Sequence, residues 1–175
     1  MKRSSYIVLF LFGAFVQIGA QGYYIRKSNH LKGDFPIHSV LLVTDSIEDR
    51  RINRFSDSFA DNLKSELKKH NIDCYVAKRN TPTVVADVIN IIEAHNPSAT
   101  ITLSPNRPVY IQFKMLRPPK ASVMFDFVLS YRNADKSSDE LYNTGIGVSI
   151  EELPNVGKEV CREIVEKMIK ARYIK

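Results

Sequence analysis

Between Glu48 and His70 the apolar residues Ile52, Phe55, Phe59, Leu63 and Leu67 recur every three or four positions, while Arg51, Arg54, Lys64 and Lys68 fall elsewhere on the helical wheel. On either side of this amphipathic helix lies a short run rich in β-branched and aliphatic residues, Ser39 to Thr44 (SVLLVT) and Ile72 to Ala77 (IDCYVA). A continuous apolar run of six residues fits a strand covered on both faces. Strand, helix and strand in that order commit the chain to layers of helix packed on sheet. Few other architectures bury these three segments at once.

The pattern continues with a second helix. Thr81 and Pro82 form its start, the proline standing where an amide would lack a partner anyway. Val84, Val85, Val88, Ile89 and Ile92 are its expected buried stripe, and Asn96-Pro97 ends it. Consecutive strands follow at Ala99 to Leu103, Val109 to Met115, Ala121 to Tyr131 and Leu141 to Ile150, separated by Ser104 to Pro108, by Pro118-Pro119 and by the polar stretch Arg132 to Glu140. In the third of these, Val123, Phe125, Phe127, Leu129 and Tyr131 share one face. In the fourth, Ile146, Val148 and Ile150 do so. Such alternation marks antiparallel strands with one wetter side. A closing helix from Pro154 to about Tyr173 presents Val156, Val160, Ile164 and Met168. The expected fold class is α/β (α+β): a mixed sheet with three helices in the order β-α-β-α-β-β-β-β-α.

The amino terminus has a different character. Lys2 and Arg3 precede the apolar run Tyr6 to Val16, and small residues surround Gly19 and Ala20, which is the layout of a secretory signal peptide cut after Ala20. The run is shorter than the roughly 20 apolar residues of a membrane span, and Gln17 interrupts it. The expected organisation is a signal peptide at 1–20, a leader with little fixed structure at 21–38, and one α/β domain at 39–175. Export to a bacterial periplasm or the extracellular space follows, with no stable membrane span after cleavage. The formal charge of +6 falls to +4 once Lys2 and Arg3 are removed, a mild bias towards acidic surfaces. Nucleic acid is disfavoured as a partner, because export removes it and no helix-turn-helix, zinc-finger or RNP-like spacing is present.

Candidate sites are few. Open α/β sheets bind ligands beyond the carboxyl ends of their parallel strands, which points to Asp45, Ser46, Glu48 and Asp49 after the first strand. The competing reading of these four is capping and acid placement at a helix start, each contributing about 0.3 to 1 kcal/mol. One loop alone does not supply the six or more oxygens of a hard-cation site. His30, His38, His70 and His95 have no metal-ligand spacing, and Gly145-Ile146-Gly147 lies within a strand pattern rather than opening a helix. Neither a cofactor nor a metal is therefore expected. Cys74 and Cys161 form a disulfide if export and geometry allow, or otherwise serve as two buried apolar side chains.

Four segments carry a resemblance: SVLLVTD, LKSELKKHNIDCYV, the hairpin VMFDFVLSYRNADKSSDELYNTGIGVSI, and GKEVCREIVEKMIKARYI. Their order of elements, over residues 39 to 174, resembles the small periplasmic α/β domains of the TolB amino-terminal, CsgG-like and LpoB-like group. The chain departs from that group in lacking a lipid-attachment cysteine, and Leu141-Tyr142 stands where a tryptophan is found in the second hairpin strand. The resemblance implies a noncatalytic envelope accessory or adaptor that binds a protein partner, and it carries over no site residues. The alternative is a small-ligand binder or hydrolase using the polar groups near Asp45. The sequence leaves the oligomeric state open.

Overall fold

A computed structural model of the chain describes residues 22–26, 28–31, 33, 35–79, 84–106, 109–110, 121–135 and 137–174. The expected signal peptide, the Thr81-Pro82 helix start and the Pro118-Pro119 step lie outside the described residues. Eight strands form one mixed sheet: β1 (Tyr23–Ile25), β2 (Asn29–His30), β3 (Ser39–Asp45), β4 (Asp73–Arg79), β5 (Ala99–Pro105), β6 (Val109–Tyr110), β7 (Ala121–Arg132) and β8 (Ser138–Ser149). Three helices accompany them: α1 (Arg50–Lys69), α2 (Val84–His95) and α3 (Gly157–Lys170). From β3 onward the order is the one expected from the sequence.

The strands lie in the order β1-β8-β7-β5-β3-β4, with β2 also on β8 and β6 also on β7. β3 is parallel to both β4 and β5, and every other pairing is antiparallel. β3 is thus central and β4 forms one edge, which explains why SVLLVT reads as an unbroken apolar run while β4 does not.

One face of the sheet is covered by α1 and α3. All five residues of the α1 stripe are buried, and Phe55 stands 4.4 Å, centroid to centroid, from Phe125 of β7. Phe59 meets Phe127 edge-on at 6.1 Å. Val160, Cys161, Ile164, Val165 and Met168 of α3 complete this layer. Asn71 takes a left-handed conformation (φ 57°) where α1 ends, as does Asn96 (φ 43°) after α2, a backbone state that asparagine tolerates better than most residues. The register of β7 on β8 slips between Leu129 and Ser130, so that Leu141 has no counterpart. This bulge lets consecutive residues, Leu141 and Tyr142, both enter the core.

Three expectations need correction. Val85 and Ile89 do not belong to the buried stripe of α2; they are 69% and 46% exposed, while Val88, Ile91 and Ile92 pack on Leu41, Val43 and Ala77. A helix lying on a sheet buries only a narrow arc, and five valines and isoleucines exceed it. The leader is not without fixed structure either: Tyr23, Tyr24 and Ile25 pair with Val148, Gly147 and Ile146, and Asn29 and His30 pair with Asn143 and Tyr142. Such short pairing depends on a distant strand and leaves no local periodicity to read. Of the expected strand Val109 to Met115, Val109 and Tyr110 form β6, and the rest lies outside the described residues. Of the two readings of Cys74 and Cys161, the structure shows the second: both are buried free thiols. The closing helix also begins later than expected, after a turn over residues 151–156.

Candidate functional site

The loop after β3 gathers the four residues singled out in the sequence. Asp45 is largely buried and faces Arg79 at the end of β4, Oδ1 to Nε 3.4 Å. No hydrogen bond reaches that oxygen, so the guanidinium acts mainly as its counter-charge. The Ser46 amide donates to the Arg79 carbonyl at 3.0 Å, tying the loop to the same strand. Asp49 caps α1: its Oδ1 accepts from the Arg51 amide at 2.8 Å, and its carboxylate is held by Arg51 Nη2 at 2.8 Å and Nε at 3.2 Å. These bonds, the Arg51 side chain foremost and its amide next, hold the Asp49 carboxyl below the usual carboxylate range. Glu48 is exposed. Asn53 closes the loop from within α1, its Nδ2 donating to the Ile47 carbonyl at 2.6 Å and its Oδ1 accepting from the Ile47 amide at 3.0 Å. The residues are brought together as a helix entry whose polar atoms mostly serve one another.

Two clefts open elsewhere. One, of about 360 Å³, lies between the end of α2 and the sheet and is lined by Ile92, Pro97, Thr100, Ser130, Arg132 and Ser138. The other, of about 400 Å³, lies between the leader and α3 and includes Arg26, Ser28, Tyr142 and Lys167. Among the described residues no group of three or more His, Cys, Asp or Glu side chains is placed to hold a metal. Nor is any described helix long and apolar enough to cross a membrane. His95 stacks on Tyr75, with ring centroids 4.1 Å apart and planes 13° from parallel.

The second sheet face was harder to read from the sequence. There α2 lies over the parallel strands, burying Leu41, Val43 and Ala77. Thr100 and Thr102 of β5, Val128 and Ser130 of β7 and Asn143 of β8 are only partly buried on this face, where α2 covers chiefly the β3 and β4 side. Ile92 reaches the cleft beside Thr100 and Ser130, which puts that side of α2 toward this face. Val85 and Ile89 follow on the same side at helical spacing, so they form an apolar rim along it. The surplus of apolar residues on α2 was the available clue.

No protein-family model matches the chain, and no curated protein matches it. Among solved structures, the PelC dodecamer from Paraburkholderia phytofirmans is similar at 12% identity with a TM-score of 0.46, over 80% of this chain and 93% of that one. The hypothetical protein CT253 from Chlamydia trachomatis is similar at 12% identity and 0.46, over 75% and 95%. Lipoprotein GNA1162 from Neisseria meningitidis is similar at 12% identity and 0.38, over 75% and 98%. At TM-scores below 0.5 these likenesses assign no family.

Proposed function

We propose that this chain is an exported accessory domain of a bacterial envelope that works by binding a protein partner. The observation that carries the reading is the second sheet face: partly polar, open among the described residues, and rimmed by Val85 and Ile89. Edges and faces of this kind are recognised by apolar anchors set in polar surroundings. The signal-peptide layout of residues 1 to 20 and the resemblance of element order to TolB amino-terminal, CsgG-like and LpoB-like domains support the same reading.

Site-specific photocrosslinking in the native envelope tests it. A crosslinker at Ile89 or Val128 is expected to give a discrete adduct that Lys158, on the exposed side of α3, does not give, and Ile89→Asp is expected to abolish the Val128 adduct while leaving the fold intact. Equal labelling from all three positions, or none from any, overturns the proposal.

A second reading draws on the buried, unbonded Oδ1 of Asp45, which leaves an acceptor for a small polar ligand. In that case Asp45→Asn removes the ligand's stabilising effect on thermal unfolding. The variant with unchanged ligand response would exclude this site.

A further inference from the structure

The edge strand β4 has a symmetry that its charges reveal. Its sequence, Asp-Cys-Tyr-Val-Ala-Lys-Arg, is centred on Val76. Paired antiparallel with a second copy about that residue, it would set Val76 against Val76, Cys74 against Lys78, Tyr75 against Ala77, and Asp73 against Arg79. Opposite charges therefore meet at both ends of the ladder.

The backbone is in phase with this pairing. The Asp73 amide donates to the His38 carbonyl at 3.3 Å, and the Arg79 carbonyl accepts from Ser46 at 3.0 Å, so the odd-numbered residues of β4 direct their backbone groups toward β3. Backbone direction alternates along a strand, which turns the amides and carbonyls of Cys74, Val76 and Lys78 outward. These are the residues that a twofold axis at Val76 makes into hydrogen-bonded pairs. An axis at Tyr75 or Ala77 would instead fall on residues already committed to β3.

Helix α1 repeats the pattern one layer up. Asp57 bridges Lys78 of β4 at 2.7 Å, so this flank of α1 borders the β4 edge, and Lys64 stands two turns further along it. Asp61 and Lys68 follow four residues after each on the same flank, and both are exposed. The opposite flank faces α3, where Ser58 adjoins Gly157. Along the outer flank the order is acid, acid, base, base. An antiparallel α1 from a second copy would set Asp57 against Lys68 and Asp61 against Lys64, twice over. The same twofold axis satisfies strand and helix. Charges on an edge strand commonly ward off pairing. Here Arg79 and Lys78 already have partners within the chain, Asp45 and Asp57, and the order of the remaining charges adds complementary pairs when the chain meets itself.

We propose that two copies of this chain associate isologously through their β4 edges, antiparallel about Val76, joining the two sheets into one. The α1 flanks set the register. The interface uses the β4 edge and α1, which lies on the other face of the sheet from α2, so it leaves the face beside Val85 and Ile89 free for another partner.

Sedimentation of the exported protein purified from its host tests the proposal across a concentration series. A dimer is expected, weakened by salt because the register is charge-set. Lys64→Glu should raise the dimer dissociation constant roughly tenfold, by replacing two attractive pairs with two repulsive ones, and the exchange Asp61→Lys with Lys64→Glu should restore it. Val76→Cys should crosslink two copies under mild oxidation, since hydrogen-bonded antiparallel pairs bring Cα atoms to about 5.5 Å. A protein that is monomeric at about 100 µM overturns the proposal, as does a dimer indifferent to Lys64→Glu that does not crosslink through residue 76. Neither result bears on adducts formed at Ile89.

Discussion

Tyr24 occupies the space that a side chain at Gly147 would need: a methyl group there would fall within the tyrosine ring, whose hydroxyl lies 3.0 Å from the Met124 sulfur. The glycine of a core-edge strand thus serves as the seat for β1. Gly147→Ala is expected to displace Tyr24 rather than unfold the domain, at a cost of about 1 to 3 kcal/mol. Hydrogen exchange should accelerate at Tyr23 to Ile25, and Tyr24→Ala should remove most of the penalty when combined with it. Exchange rates that stay at their original values in Gly147→Ala would contradict this packing.

Removing the Phe55 ring from its position against Phe125 leaves a cavity between α1 and β7. Phe55→Ala is expected to cost about 3 to 5 kcal/mol in urea unfolding. Arg54→Ala, at the neighbouring exposed position, should cost about 0.5 kcal/mol or less.

Burial pushes the Cys74 thiol up to about 11 and the Cys161 thiol up to about 12, against an ordinary value of 9.0. Both should resist thiol reagents at pH 8 until the protein unfolds. Above pH 9 the unfolded chain gives up these protons while the folded chain retains them, so the unfolded state binds fewer and stability falls with rising pH. Their contribution is complete below about pH 9 and is lost as the pH climbs through about 11 to 12. Replacing both with alanine should lower stability at pH 7 and flatten its decline between pH 9 and 11, measured by urea midpoints.

The hydroxyl of Tyr173 lies 2.7 Å from the Leu141 carbonyl and 2.9 Å from that of Leu31, fastening the end of the chain to both β8 and the leader. Tyr173→Phe should cost about 1 kcal/mol and increase proteolysis near Leu31.

Mass spectrometry of the exported protein should find an amino terminus at Gln21, as the layout of residues 1 to 20 predicts. Only full-length chain in the membrane fraction would count against cleavage.

Much of the architecture was legible because each main element carries its own periodicity. Ile52 to Leu67 announce α1, and Val123 to Tyr131 announce the inward face of β7, before any tertiary contact is known. The leader was not legible, since Tyr23 to Ile25 become a strand only by pairing with residues more than 100 positions away. On α2, hydrophobicity named five residues but not the arc that the sheet would cover; Ile91 took the place expected of Ile89. The acidic loop after β3 could be picked out as a group, yet its bonds to Arg51 and Arg79 depend on geometry that spacing does not disclose. The palindromic charges of β4 were in plain view, but they acquire meaning only once that strand is known to lie at an edge.

The pairing of β1 with β8 also orders events during the protein's biogenesis. A chain cut after Ala20 leaves only Gln21 and Gly22 ahead of the first paired residue, Tyr23. A peptidase needs several extended residues around the bond it cleaves, and a docked β1 would withhold them. Cleavage should therefore come before β1 joins the sheet, and β8, formed more than 100 residues later, is what sets that deadline.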